Sequence, residues 1–287
     1  DKRVIAMNKI ALGTVQFGLD YGISNTGGQV SLEEARKVLK LAKEYDIDTL
    51  DTASGYGNSE KVLGKIGVND FQIVTKTTSL QLGVDKVLQS FYQSLTDLNA
   101  TSVDGLLIHN IDDTKDKQFD TLYKELDKLK QDKLINKIGF STYTPDQVDF
   151  LLDNFDFDLI QVPFNVFDTR LIDGGQLQIL RNKQIEIHAR SVFLQGLLLN
   201  FKQLGSYFSK WTGQFNNYQE IVQDSELSLL EYALSFVLNT KEIDVTLVGV
   251  SNSSQLTEII KASNLNLDLK AYGIDDINLL NPSLWKL

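Results

Sequence analysis

The chain has 287 residues, 42% of them hydrophobic and 23% charged, so it can bury a large core in one barrel-sized domain or two ordinary ones. A formal net charge of -10, with no cluster of Lys and Arg, argues against nucleic acid and anionic membrane surfaces, whose phosphates demand basic patches. The absence of cysteine removes disulfides, thiolate nucleophiles and thiolate-bound metals together, and a reducing cytoplasm is the expected location.

Asp1 to Ala6 precede the single methionine, Met7, without joining any pattern. They read as a vector-derived or disordered start, and the domain is taken as residues 7–287. No secretory pattern and no apolar run of spanning length occur, so no membrane is expected.

Beyond that point short apolar runs alternate with amphipathic stretches. Ile10 to Gly13 is the first strand, followed by a Gly-rich connection that includes Asn25 and by Ser31 and Glu34, which together can form a capping box for a helix showing Ala35, Val38, Leu39 and Ala42 on one face. Thr49 to Asp51 with Ser59 to Lys65, Ile73 to Lys76 with Val84 to Leu98, and Gly105 to His109 with Phe119 to Gln131 complete the first half. Lys137 to Ser141 with Pro145 to Asn154, and Leu159 to Val162 with Leu171 to Lys183, continue the rhythm. Glu186 to Arg190 with a helix from Ile221 to Leu238, and Asp244 to Val248 with Ser253 to Asn264, finish it. Eight strand-helix units in strict alternation imply a parallel sheet closed as an α/β (β/α)8 TIM barrel in a single domain. A long connection, Leu197 to Tyr218, carries Phe201, Tyr207, Phe208, Trp211 and Phe215. It reads equally as a substrate-side wall and as packing against a helix of the outer ring or a subunit contact.

Reactive groups of such barrels sit at the carboxyl ends of strands. Asp51, Lys76, His109, Ser141, Gln161 and Arg190 fall at the ends of strands two to seven, with Tyr56 on the loop after strand two. A phenol is a weak acid at neutral pH, and an adjacent ammonium improves it by stabilising the phenolate. Lys76 can supply that ammonium, Asp51 can hold Lys76, and His109 can hydrogen-bond a carbonyl oxygen near Tyr56. The four form a proton donor for a developing alkoxide, which suits carbonyl reduction. Each residue alone would pass as a surface charge or a packed side chain; their joint placement on consecutive strands favours a shared site. His188 falls inside strand seven and is expected to be structural. Two histidines without cysteine make a transition-metal site improbable, and no metal is assigned. Gly55 and Gly57 lack the third glycine and the distant acidic residue of a dinucleotide-binding loop.

These residues resemble the aldo-keto reductase superfamily over nearly the whole chain. Asp51-Thr52-Ala53 with Tyr56-Gly57 and Ser59-Glu60, then Val74-Thr75-Lys76, then Leu106-Leu107-Ile108-His109, are similar to the blocks that carry the family's catalytic Asp, Tyr, Lys and His. The resemblance implies hydride transfer between a nicotinamide cofactor, held in extended form without a Rossmann fold, and an aldehyde or ketone, with Tyr56 supplying the proton. It also assigns cofactor contacts to Gly13, Thr14, Asp51, Ser141, Gln161, Arg190, Ser191, Phe193, Gln195, Gly196, Gly249, Ser251, Asn252 and Gln255. Thr142 stands where the family commonly has Asn, and Arg190 where an aromatic ring often stacks on the nicotinamide.

The segment Gly249 to Glu258 resembles the family's adenosine-phosphate loop but offers Ser, Asn and Gln instead of Lys or Arg. Family habit favours NADPH, with NADH an option. The substrate expected is a small polar or sugar-like carbonyl compound, since the mouth loop Asp20 to Asn25 is polar. A sugar dehydrogenase working in the oxidative direction, or a cofactor-binding regulatory protein on the same barrel, are the alternatives. Nothing in the sequence sets the oligomeric state.

Overall fold

The structure, a computed structural model, describes residues 9–23, 27–265 and 267–286. The expected dispensable segment Asp1 to Ala6, together with Met7, lies outside the described residues, as do Ser24 and Asn25 of the first loop.

Eight parallel strands close into a barrel in sequence order: β1 (Ile10–Gly13), β2 (Thr49–Asp51), β3 (Gln72–Lys76), β4 (Val103–Ile108), β5 (Ile135–Ser141), β6 (Leu159–Pro163), β7 (Glu186–Arg190) and β8 (Val245–Gly249). The barrel is sealed by β1 pairing with β8, Gly13 opposite Gly249. The principal outer helices are α1 (Leu32–Glu44), α2 (Ser59–Ile66), α3 (Val84–Leu98), α4 (Phe119–Gln131), α5 (Pro145–Asn154), α6 (Gln176–Asn182), α7 (Leu229–Asn239) and α8 (Ser253–Ala262). This is a single-domain (β/α)8 TIM barrel.

The buried side chains fall into two groups. A large apolar layer lies between strands and helices, where α1 buries Ala35, Val38, Leu39 and Ala42 as its periodicity requires. Inside the barrel Val74, Leu107 and Leu159 form a separate small cluster, tight enough that a Cβ on Gly139 would come within 2.1 Å of the Leu159 carbonyl oxygen. Deeper still, Lys137 pairs with Asp104 at 2.9 Å and Glu186 at 2.7 Å, and Glu186 also meets His188 Nε2 at 2.7 Å. Burial pushes the Glu186 carboxyl up, but the hydrogen bonds from His188 and Lys137 outweigh it and bring the group down to about 2. His188 is therefore part of an ionic floor beneath the apolar plug, and it does not line the cleft.

Four details depart from the sequence reading. The helix expected from Ile221 to Leu238 is two helices, Thr212–Asp224 and α7, because Ser228 and Glu231 form a complete capping box that starts a new helix. The stretch Leu171 to Lys183 is interrupted by Gly174 and Gly175, the latter at φ 81°, so α6 begins only at Gln176. Leu197 to Tyr218 is not an open loop: much of it coils into turns of helix, and Phe208, Trp211, Phe215 and Tyr218 are buried. Its aromatic rings pack against Phe167, Tyr272 and Trp285, and Trp211 donates its indole N–H to Asp276, so the packing reading holds and the substrate wall does not. Finally, the capping box at α1 is half made. Ser31 Oγ accepts from the Glu34 amide at 3.2 Å, but the Glu34 carboxylate reaches across to Ser253 on α8.

Candidate active site

The carboxyl ends of the strands open into one cleft of about 850 Å³, within the range of small-molecule and cofactor sites. The residues expected to be catalytic or to contact the cofactor all line it: Gly13, Thr14, Asp51, Tyr56, Lys76, His109, Ser141, Gln161, Arg190, Ser191, Phe193, Gln195, Gly196, Gly249, Ser251, Asn252 and Gln255. At one end lie the ends of β2 to β7, at the other the start of α8.

Lys76 is the centre of the inner end. Its side chain is 1% exposed, and its ammonium donates to Asp51 Oδ1 at 2.6 Å and to the Thr52 carbonyl at 2.8 Å. The second Asp51 oxygen accepts from Gln161 Nε2 at 2.7 Å, so both oxygens of this buried carboxylate are hydrogen-bonded. Burial lowers the Lys76 pKa, yet Asp51 first and Tyr56 next raise it by more, and the ammonium stays charged. The same ammonium sits 4.9 Å from the Tyr56 ring centroid, and the Tyr56 and His109 rings meet edge to face at 6.2 Å. His109 is held down to about 4, by burial first and by the Lys76 charge second. It is a neutral imidazole at physiological pH, able to donate or accept one hydrogen bond without adding charge.

The Tyr56 loop is shaped by a contact that the sequence did not announce. Gly57 adopts φ 57°, and a Cβ there would come within 2.4 Å of the Gly18 carbonyl oxygen; one on Gly18 would come within 1.7 Å of the Tyr56 carbonyl oxygen. Backbone meets backbone at these two glycines, which fixes where Tyr56 leaves the loop. Gly55 has open space around it and a negative φ, so it is not required there.

After β7 the chain is bent sharply. Ser191, Leu194 and Gln195 take left-handed φ values of 55°, 47° and 54°, followed by Gly196 at 94°. Backbone strain of this kind persists when surroundings enforce it. Buried Asn165 does so, donating to the Ser191 carbonyl at 3.0 Å while its Oδ1 accepts from Phe167 and Asp168 amides. Arg190 stacks on Tyr143 at 4.4 Å and donates to the Thr142 carbonyl at 2.7 Å; among the described residues no carboxylate lies within ion-pair distance of it. Tyr21, on the first loop, accepts from Gln195 Nε2 at 3.1 Å and so bridges the two sides of the cleft. Burial raises the Tyr21 pKa, with the neighbouring Tyr56 adding to it.

Sequence reasoning missed Gln16, Glu34, Tyr143 and Glu258 as lining residues. Tyr143 had a local signal, being two residues beyond a strand-end serine. Glu34 had none, since its place in the cleft depends on α1 lying against α8.

The sequence profile of the Aldo/keto reductase family matches residues 9–278. The chain belongs to that family. Among its relatives, the Bacillus subtilis protein named "Uncharacterized oxidoreductase YqkF" is 28% identical over 90% of this chain and 92% of its own length. The L-galactose dehydrogenase of Arabidopsis thaliana is 26% identical over 96% and 91%. In structure, the holo form of the aldo-keto reductase AKR11C1 from Bacillus halodurans superposes with a TM-score of 0.71 at 19% identity, covering 88% of this chain and 86% of that one. The first two relatives are named as oxidoreductases, and the third shares the fold. Among the described residues no helix is long and apolar enough to cross a membrane, and no cluster of His, Cys, Asp and Glu suits a metal ion.

Proposed function

We propose that the protein is an NAD(P)-dependent oxidoreductase that reduces a small polar, sugar-like carbonyl compound, with Tyr56 as the proton donor. The observation that carries this reading is the buried Lys76–Asp51 pair beside Tyr56. A fixed ammonium next to a phenol stabilises the phenolate left after proton transfer, and fixed charge in a dry site acts more strongly than it would in water. Neutral His109 supports the same step, since it can donate to the carbonyl oxygen without competing as a charged acid.

The cleft's donor set suits a nicotinamide dinucleotide. Gln161 spends its amide nitrogen on Asp51 and so offers a carbonyl oxygen to a carboxamide, next to the Ser141 hydroxyl. Ser191, Phe193, Gln195 and Gly196 form the bent segment for the pyrophosphate, while Gly249, Ser251, Asn252 and Gln255 stand at the adenosine end, and Gly13 and Thr14 complete the wall. When bound, the cofactor supplies the hydride. On the substrate side Tyr21 and Tyr143 present polar groups that suit hydroxyls, and the L-galactose dehydrogenase relative, which is named for a sugar, agrees with that class. A reducing compartment, the cytoplasm, fits a chain without cysteine.

Stopped-flow fluorescence of bound reduced cofactor against a panel of hydroxylated aldehydes and ketones tests the proposal. Oxidation of the cofactor by at least one of them is expected. The reading fails if every carbonyl leaves the cofactor reduced, or if a Tyr56→Phe variant retains full turnover; tight binding without turnover would point to a regulatory role.

A further inference from the structure

The outer end of the cleft is built differently from a phosphate site. Helix N-termini attract phosphates through unpaired amide donors and the helix dipole, and α8 opens directly onto this end. Yet the amide donors of Ser251, Ser253 and Gln255 are already engaged by the chain's own side chains. The Ser253 amide donates to Glu34 Oε1 at 2.7 Å and the Ser253 hydroxyl to the same oxygen at 2.6 Å. The Gln255 amide donates to Asn252 Oδ1 at 2.9 Å, and the Ser251 amide to Gln255 Oε1 at 2.8 Å.

Glu34 is the unusual member, because it comes from α1 and brings a charge. The two hydrogen bonds from Ser253 hold its carboxyl below the ordinary carboxylate range, so it is ionised at neutral pH. Glu258 lines the same end. Among the described residues that line the cleft, the only Lys or Arg side chains are Lys76 and Arg190, both at the ends of barrel strands. Lys37 lies 3.5 Å from Glu34 Oε2, but it is solvent-exposed, shared with Glu33 at 3.4 Å, and outside the lining.

We propose that the protein selects NADH over NADPH, and that Glu34, locked onto Ser253, is the specificity-determining residue. A ribose 2′-phosphate requires at this helix start the donors that Glu34 holds, and brings a second negative charge beside a fixed carboxylate. A ribose 2′-hydroxyl is neutral and can itself donate to a carboxylate. The preference rests on reading the cleft as a nicotinamide site, and it replaces the NADPH expected from family habit.

Equilibrium titrations of the full chain with NADH and with NADPH, followed by cofactor fluorescence at low salt, test it without any substrate. The expected result is a Kd for NADH at least tenfold lower, or about 1.4 kcal/mol. In Glu34→Gln, which keeps an acceptor for Ser253 and removes the charge, NADPH should bind at least fivefold tighter and NADH no tighter, so that the ratio of the two Kd values shifts toward NADPH at least fivefold. NADPH binding as tightly as NADH in the unaltered protein, or a Glu34→Gln variant with an unchanged ratio, overturns the preference alone. Binding of neither dinucleotide overturns both the preference and the reading of the cleft on which it rests.

Discussion

The two ends of the cleft solve different electrostatic problems. At the inner end a lysine and an aspartate are almost fully buried, paired at 2.6 Å and braced by Gln161 and a backbone carbonyl, with Arg190 adding a second positive charge close by. At the outer end the charges are the carboxylates of Glu34 and Glu258, partly or fully exposed to solvent. Removing charges from water is costly, and it is repaid only where geometry and hydrogen bonds are nearly complete. Such a construction belongs where a proton moves. A solvated carboxylate can discriminate between ligands but cannot reshape an acid, so under the proposed function the inner end is expected to set turnover and the outer end affinity.

The largest effect should follow from breaking the buried pair on one side. Lys76→Met leaves the Asp51 carboxylate buried with its principal partner gone, and about 3–5 kcal/mol of stability should be lost, together with measurable turnover. Urea unfolding checks the first and steady-state kinetics the second. Asp51→Asn in the Lys76→Met background should recover more than half of the lost stability and none of the activity. A Lys76→Met protein as stable as the unaltered one would show that the pair is not the desolvated, mutually dependent unit described above.

Tyr56→Phe isolates the proton from the scaffold. Tyr56 is half-buried, and its loop is held by Gly57 against Gly18, so the phenyl ring keeps its place. Activity should fall about 10²–10⁴-fold, the usual scale for general acid catalysis, with the unfolding midpoint within the spread of repeat measurements. Loss of both together would mean that the hydroxyl supports the fold and not only the reaction.

The inner end was legible in the sequence because one rule places it. Residues at the ends of consecutive parallel strands share a face, so Asp51, Lys76 and His109 could be grouped from apolar periodicity alone, as could α3, α4 and α5 with the bounds observed. The outer end was legible only on the α8 side. Glu34 satisfied a local capping pattern with Ser31, and no local pattern can show that its carboxylate prefers a serine 219 residues away. Gly18 is hidden for the same reason, since its need for a missing Cβ arises from the Tyr56 turn folding onto it. The aromatic stretch Phe201 to Phe215 was ambiguous because aromatic side chains line sites and fill cores with equal chemistry. Contacts with Tyr272 and Trp285 decided for the core.

Acid should expose the inner end before the outer. His109 sits at about 4, against 6.5 for a free histidine, so between these values the unfolded chain binds a proton that the folded chain refuses. Stability from this group is complete above pH 6.5 and is lost as the pH falls toward 4, by up to about 3 kcal/mol. A His109→Gln variant should flatten that part of the stability curve measured by urea unfolding between pH 4 and 7. An unchanged slope would mean that the imidazole is already free to protonate in the fold.

The smallest effect is expected at the outer end, and it is the one that tests the division of labour most directly. Asn252 caps α8 by accepting from the Gln255 amide at 2.9 Å, and Asn252→Ala should cost about 1 kcal/mol of stability, as cap removals do. It also loosens the loop residue Ser251 and the first turn of α8 that carries Gln255, while Asp51, Lys76, Tyr56 and His109 keep every bond they have. Kd for the dinucleotide should therefore rise several-fold while kcat at saturating cofactor stays within twofold, the pattern of lost uniform binding. If kcat falls as far as affinity does, the outer end is coupled to the proton step, and the separation of affinity from turnover along this cleft does not hold.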